Sequence, residues 1–156
     1  MMPHRRIQEA VDLLEKYQRE AMELSKRLIQ LRMELEKADV ISEKLAKYNI
    51  YMSSFFQLSN DLLTVASDDG YFKIVNKAWT EVLGYTADDL TSRQWIEFVH
   101  PDDIPKTIAI MDVLRKAPLY GFQNRYRKKD GDYVTLSWNC VMERDGTIYA
   151  VARVVS

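Results

Sequence analysis

From Arg5 to Met52 the chain contains no glycine, and after Pro3 no proline, while Glu, Lys, Leu, Arg and Gln dominate. A run of this length without either breaker leaves little besides helix open to it. Every seventh residue from Ile7 gives Ile7, Leu14, Ala21, Leu28, Leu35, Ser42 and Asn49; three residues later come Ala10, Tyr17, Leu24, Leu31, Ala38, Leu45 and Met52. That is a heptad seam, strongest from Leu14 to Leu35 and polar towards its end.

A helix of about 45 residues reaches ~68 Å at 1.5 Å per residue, much longer than one that only packs on a small domain. The alternative is a single helix folded back over the domain. The sustained 3.5-residue period instead predicts a coiled coil between two chains, with Leu14, Leu24, Leu28, Leu31, Leu35 and Leu45 on the seam. In a parallel, in-register pair Arg27 would face Arg32 and Glu34 would face Asp39, both like-charged. Exposed pairs of this kind cost tenths of a kcal/mol, less than burial of the leucine layers contributes. The expectation is therefore a homodimer through this helix, parallel in orientation.

A chain of 156 residues, 47% hydrophobic, holds one core-forming domain beside such an appendage. The natural division places the helix in residues 1–52 and the domain in residues 53–156. A net charge of -1 gives no field to gather polyanions, so nucleic acid is not an expected partner. The lone Cys140 excludes an internal disulfide framework and a zinc cluster, which fits a reducing compartment such as the cytoplasm. No apolar run approaches the roughly 20 residues of a membrane span, and the charged, amphipathic start is unlike a signal peptide.

After Phe55 the texture changes. Leu62–Ala66 and Phe72–Val75 flank SDDG and predict a β-hairpin. Asn76 is placed to N-cap KAWTEVL, with Gly84 ending that helix and Thr86 capping a further turn. Asp102 or Asp103 can cap a helix running to about Lys116, with Ile104, Ile108, Met111 and Leu114 (or its neighbour Val113) facing inward. Tyr120–Arg127, Tyr133–Glu143 and Ile148–Val155, separated by KKDGD and RDGT, predict a three-stranded antiparallel meander. In its middle strand Val134, Leu136, Trp138, Cys140 and Met142 alternate with Thr135, Ser137, Asn139 and Val141, which gives one core face and one mostly wet face.

The residues DLLTVASDDGYFKIVNKAWTEVLGYTADDL, then FVHPDD, FQNRYRKKDGDYVTLSW and DGTIYAVARVV, resemble in this order a PAS domain, over about residues 53–155. The resemblance implies an α+β fold: a five-stranded antiparallel sheet with helices on one face, enclosing a small pocket, here behind a long N-terminal coiled-coil helix. It also implies a sensory or docking role, commonly beside histidine kinases or cyclic dinucleotide enzymes, and no catalysis by the domain itself. No nucleophile with a base, nucleotide-binding glycine motif or metal-spaced set is visible in the sequence. The pairs Asp68–Asp69, Asp88–Asp89 and Asp102–Asp103 sit where turns and helix starts favour carboxylates.

Candidate pocket positions are Ile108 and Met111 of the long helix, Phe122 and Asn124 or their neighbours, and Trp138 and Cys140. The same residue types also fill ordinary cores, while Asn124 and Asn139 could orient a small ligand. Flavin-binding light sensors of the family carry a reactive Cys on an early helix, and Ala87 to Phe98 has none. Haem-binding members take a His from the long helix, and Asp102 to Lys116 has none. His100 reads as a turn or capping residue, and no cofactor is expected. Where family domains commonly carry an Asp-Ile-Thr output signature this chain has Val154, Val155 and Ser156, so, if these are the whole protein's ends, a signal is expected to leave through the N-terminal helix or the domain surface. Three readings stand: a dimeric module coupling ligand or partner binding to helix packing, a flavin or haem sensor, and a ligand-free adaptor for a signalling protein.

Overall fold

The computed structural model describes residues 2–155, so Met1 and Ser156 lie outside the described residues. Helix α1 covers Met2–Leu58, past the residue-52 boundary read from the sequence. The chain separates into two compact units between Tyr51 and Met52, and the last turns of α1 belong to the second unit. In the first unit the helix surface carries exposed i,i+4 ion pairs, among them Arg5–Glu9 and Arg32–Glu36. Such pairs add a few tenths of a kcal/mol each to an isolated helix. No helix among the described residues is long and apolar enough to cross a membrane.

In the second unit β1 (Leu62–Ser67) and β2 (Phe72–Val75) form the first hairpin. Helices α2 (Lys77–Leu83) and α3 (Ala87–Thr91) follow, then 3-10 turns at Trp95–Phe98 and Pro101–Asp103, and α4 (Ile104–Leu114). Strands β3 (Leu119–Arg127), β4 (Tyr133–Met142) and β5 (Thr147–Val154) complete the chain. The five strands form one antiparallel sheet in the order β2-β1-β5-β4-β3. The first and last strands of the domain thus lie side by side at the sheet centre.

Turn chemistry sets the hairpin. The Asp69 carboxylate accepts from Tyr71 N, from Lys73 Nζ and, closely, from the Ser67 hydroxyl. These bonds, the hydroxyl's foremost, hold the Asp69 carboxyl down to about 2. Thr86 and Asp89 close a capping box, and Gly84 takes φ 82° to end α2, a left-handed turn that favours glycine.

Strand period decides the core. Leu62, Thr64 and Ala66 of β1, Ile148, Ala150 and Ala152 of β5, and Leu136 and Trp138 of β4 point towards the helices and are buried. Register matches large to small: Trp138 lies opposite Ala152 and Cys140 opposite Ala150. Against this face pack Trp79, Leu83, Leu90 and Phe98 from the helical segment. The rings of Phe72, Tyr126 and Trp138 surround Trp79 with centroids 4.8, 6.0 and 5.7 Å away.

One inward position of α4 differs from the apolar pattern. Ile108 is 57% exposed, while Thr107 is buried. Met111 and Leu114 lie one and two turns beyond Thr107, so they define the inward stripe, and Ile108 stands about 100° away from it. A threonine can take the buried place because its hydroxyl donates to Asp103 O at 2.7 Å. Val113 is exposed and Leu114 buried, which resolves the pair left open by periodicity.

Candidate functional site

Between α4 and the inner sheet face lies a cavity of about 70 Å³. Met111 and Thr107 contribute from α4, Phe122, Asn124 and Tyr126 from β3, and Trp138 and Cys140 from β4. Of the positions read from the sequence, Met111, Phe122, Asn124, Trp138 and Cys140 are brought together there. Ile108 is not, for the helical reason given above. Tyr126 was missed, although period two from Phe122 through Asn124 leads directly to it.

Most polar groups of the wall are spent on one another. Trp138 Nε1 donates to Asn124 Oδ1 at 2.7 Å, and Asn124 Nδ2 donates to the Thr107 hydroxyl at 3.1 Å. The Thr107 hydroxyl in turn donates to Asp103 O. On the β1 side the Thr64 hydroxyl donates to Ile74 O at 2.8 Å. Asn124 therefore orients the wall through its amide and has its carbonyl and one N–H occupied. Asn139 is exposed, where its carbonyl accepts from Gly121 N at 3.1 Å.

Two titratable groups line the cavity, and burial keeps both neutral. It raises the Tyr126 hydroxyl far above its ordinary value, with a smaller push from Cys140, and pushes the Cys140 thiol up to about 12. A thiol held protonated in this way lacks the thiolate that nucleophilic adduct chemistry needs. No histidine lines the cavity among the described residues, and the volume is a fraction of the roughly 300–1,000 Å³ of pockets for drug-sized ligands. Neither flavin nor haem fits these residues.

A second constellation sits where α1 meets the domain. Asn76 holds the N-cap position of α2, but its side chain does not cap that helix. Its Oδ1 accepts from Leu63 N at 3.0 Å, and its Nδ2 faces three carbonyls, Phe56 O at 3.0 Å, Ser59 O at 3.3 Å and Asp61 O at 2.9 Å. These include carbonyls that the end of α1 leaves without helical partners, which is why a 1% exposed amide is worth more here than at a surface cap. Gln57 Oε1 instead accepts from Lys77 N at 2.9 Å, so the end of α1 supplies the cap of α2. Sequence alone shows Asn before a helix; it cannot show carbonyls fifteen to twenty residues away that compete for the same side chain.

Trp79 connects the two places. It packs on Tyr126 and Trp138 of the cavity wall, and its Nε1 donates to Leu63 O at 3.1 Å. The next bond, Leu63 N to Asn76, reaches the carbonyls of the α1 terminus.

The acidic pairs are structural in geometry. Asp103 accepts from Arg125 N at 2.7 Å, Nε at 2.9 Å and Nη2 at 2.8 Å. These bonds hold its carboxyl far below the carboxylate range against the opposing effect of burial. Neither Asp102 nor Asp103 makes the side-chain cap expected of one of them. Asp103 stands at the N-cap of α4 but turns to Arg125, and His100 Nδ1 accepts from Asp102 N at 3.2 Å. No group of three or more His, Cys, Asp or Glu among the described residues could hold a metal ion. Leu14, Leu24, Leu28, Leu31, Leu35 and Leu45 all stand exposed on α1.

The sequence model of the PAS fold matches residues 72–154, more than half of the chain. No curated protein matches the chain. Among solved structures, the PAS domain of an HTR-like protein from Haloarcula marismortui is 19% identical, over 75% of this chain and 99% of that one, with a TM-score of 0.63. A PAS domain from Colwellia psychrerythraea is 17% identical, over 69% of this chain and 97% of that one, with a TM-score of 0.60. A domain of a sensory box sensor histidine kinase/response regulator from Geobacter sulfurreducens is 21% identical, covering 69% and 93%, with a TM-score of 0.57.

Proposed function

This chain belongs to the PAS family, and from that premise we propose that it is a dimeric sensory module in which events in the cavity alter helix packing in α1. The observation that carries the reading is the route from the Tyr126–Trp138 wall through Trp79 and Leu63 to Asn76 and the carbonyls ending α1. A shift of the cavity rings has to be accommodated at that terminus, because each link is a packed ring or a buried hydrogen bond. The exposed leucine stripe of α1 supports the second half of the proposal: two copies bury it as a coiled coil, parallel in orientation. The module regulates catalysis carried by another protein or domain and acts in the cytoplasm. The likeness to a sensor histidine kinase domain supports a place in a two-component system.

Coupling is tested by disulfide trapping. In a Cys140→Ala background Leu45→Cys places a thiol on the seam. Oxidation is expected to give a cross-linked dimer whose yield changes at least threefold when Asn76→Ala breaks the junction. A yield indifferent to Asn76 would overturn the coupling.

A second reading, an adaptor that docks a partner on the sheet, is favoured by Ile74, Tyr120, Val141 and Tyr149, which stand exposed on the outer face. Chemical-shift changes confined to these residues on addition of a signalling partner would support it over the first.

A further inference from the structure

We propose that the cavity selects a small neutral molecule carrying a hydrogen-bond acceptor, of the size of a short aliphatic ketone, and that the Tyr126 hydroxyl is the donor that recognises it. The inference rests on the ligand-sensing part of the function proposed above and narrows it to a chemical class.

Size comes from volume. At ~10–15 Å³ for each water-sized group, a cavity of about 70 Å³ takes on the order of five to seven of them. Polarity comes from the wall, which is mostly aromatic and aliphatic and has no charged side chain among the described residues. An ion entering it would lose its hydration without a counter-charge, and neither Tyr126 nor Cys140 ionises to supply one.

The donor comes from what the wall leaves unpaired. Trp138, Thr107 and Thr64 have protein partners, and Asn124 has its carbonyl and one N–H occupied. Tyr126 is only 2% exposed, yet no described residue accepts from its hydroxyl. Among the described residues, no fully enclosed side-chain polar atom lacks a partner. Tyr126 lines the cavity, and its hydroxyl, without a protein acceptor and not fully enclosed, is the donor we assign to a molecule held there. A buried hydroxyl without an acceptor is costly, and an oxygen on the bound molecule relieves that cost while its alkyl part covers Met111, Phe122 and Leu114.

Methyl NMR of the full chain, following Met111 and Ala150, tests this with 2-pentanone, butanoate and pentylammonium as size-matched probes. Saturable shifts are expected with 2-pentanone alone, and Tyr126→Phe, which keeps the ring, is expected to weaken its affinity about tenfold. Butanoate or pentylammonium binding as tightly, equal 2-pentanone affinity in Y126F, or no saturable shift with any probe overturns the proposal. Should Y126F lose its dispersed spectrum, Ala150→Val narrows the cavity with the hydroxyl retained. Loss of 2-pentanone binding supports the assignment, and unchanged affinity overturns it. A monomeric chain that still binds 2-pentanone sinks the dimeric coupling alone, whereas a dimer indifferent to every probe sinks this inference alone.

Discussion

Leu28, Leu31 and Leu35 of the N-terminal helix and Leu62, Leu83, Leu90 and Leu136 of the domain are one residue type in opposite surroundings. The first three are more than half exposed, and the last four are at most 1% exposed. The domain buries these leucines internally, around Trp79 and the inner sheet face, so it has a core of its own. The helix has charged neighbours for its polar faces but nothing in its own unit to cover the leucines. On the proposed coiled coil, the contrast separates two kinds of stability: one belongs to the single chain, and the other would depend on concentration and partner.

The largest expected effect tests the self-sufficient half. Trp79→Ala removes the ring at the centre of the aromatic cluster and should cost about 4 kcal/mol of domain stability in urea unfolding. The leucine stripe should still associate, with the Leu45→Cys cross-link yield altered as for Asn76→Ala; an unaltered yield would argue against the route through Trp79, and a complete loss of association would show that the two regions are one cooperative structure.

Asn76→Ala comes next. It leaves Leu63 N and the carbonyls at the α1 terminus without their partner, at a cost of about 3 kcal/mol. Hydrogen exchange should then accelerate at Phe56–Leu63 more than in β4. Uniform acceleration would place Asn76 in the core's energetics and not at the joint.

A third, smaller effect is pH-dependent. Asp103→Asn should cost about 2 kcal/mol at neutral pH by weakening the charged bonds from Arg125. Arg125 is partly exposed, so water offsets some of the loss. Because folding lowers the Asp103 carboxyl, its contribution is complete above the unfolded value of about 3.9 and is lost as the pH falls below it. Thermal melts of D103N should therefore converge on the parent protein in acid, and a constant gap down to strongly acid pH would contradict the assignment.

The smallest effect sharpens the other half. In a parallel pair Glu34→Lys would turn the Glu34–Asp39 repulsion into an attraction and tighten the dimer by about 0.5 kcal/mol, screened by salt. An unchanged dissociation constant at low salt would point to the antiparallel arrangement.

The strands and turns were legible because each residue's environment there follows from a period of two and from local turn residues. Trp138 and Cys140 share a face in any register that buries Leu136, and the SDDG turn carries its own hydrogen-bond partners. The site was only partly legible. Apolarity points Ile108 inward, whereas Thr107 is buried on a backbone carbonyl that hydropathy does not reveal. Asn76 and Asp103 looked like caps, yet both are claimed by partners distant in sequence, Phe56 and Arg125. A short polar side chain before a helix marks a position reliably but leaves its partner open, since that choice is made by tertiary packing.

The central claim is that the α1 leucine stripe joins two chains while the domain stands by itself. Sedimentation equilibrium of the full chain against its Leu28→Asp/Leu31→Asp variant, at equal micromolar concentration, tests it most directly. The account predicts a dimer for the parent chain, a monomer for the variant and identical amide dispersion for residues 62–154 in both. A parent chain that sediments as a monomer, or a variant that stays dimeric, would contradict it.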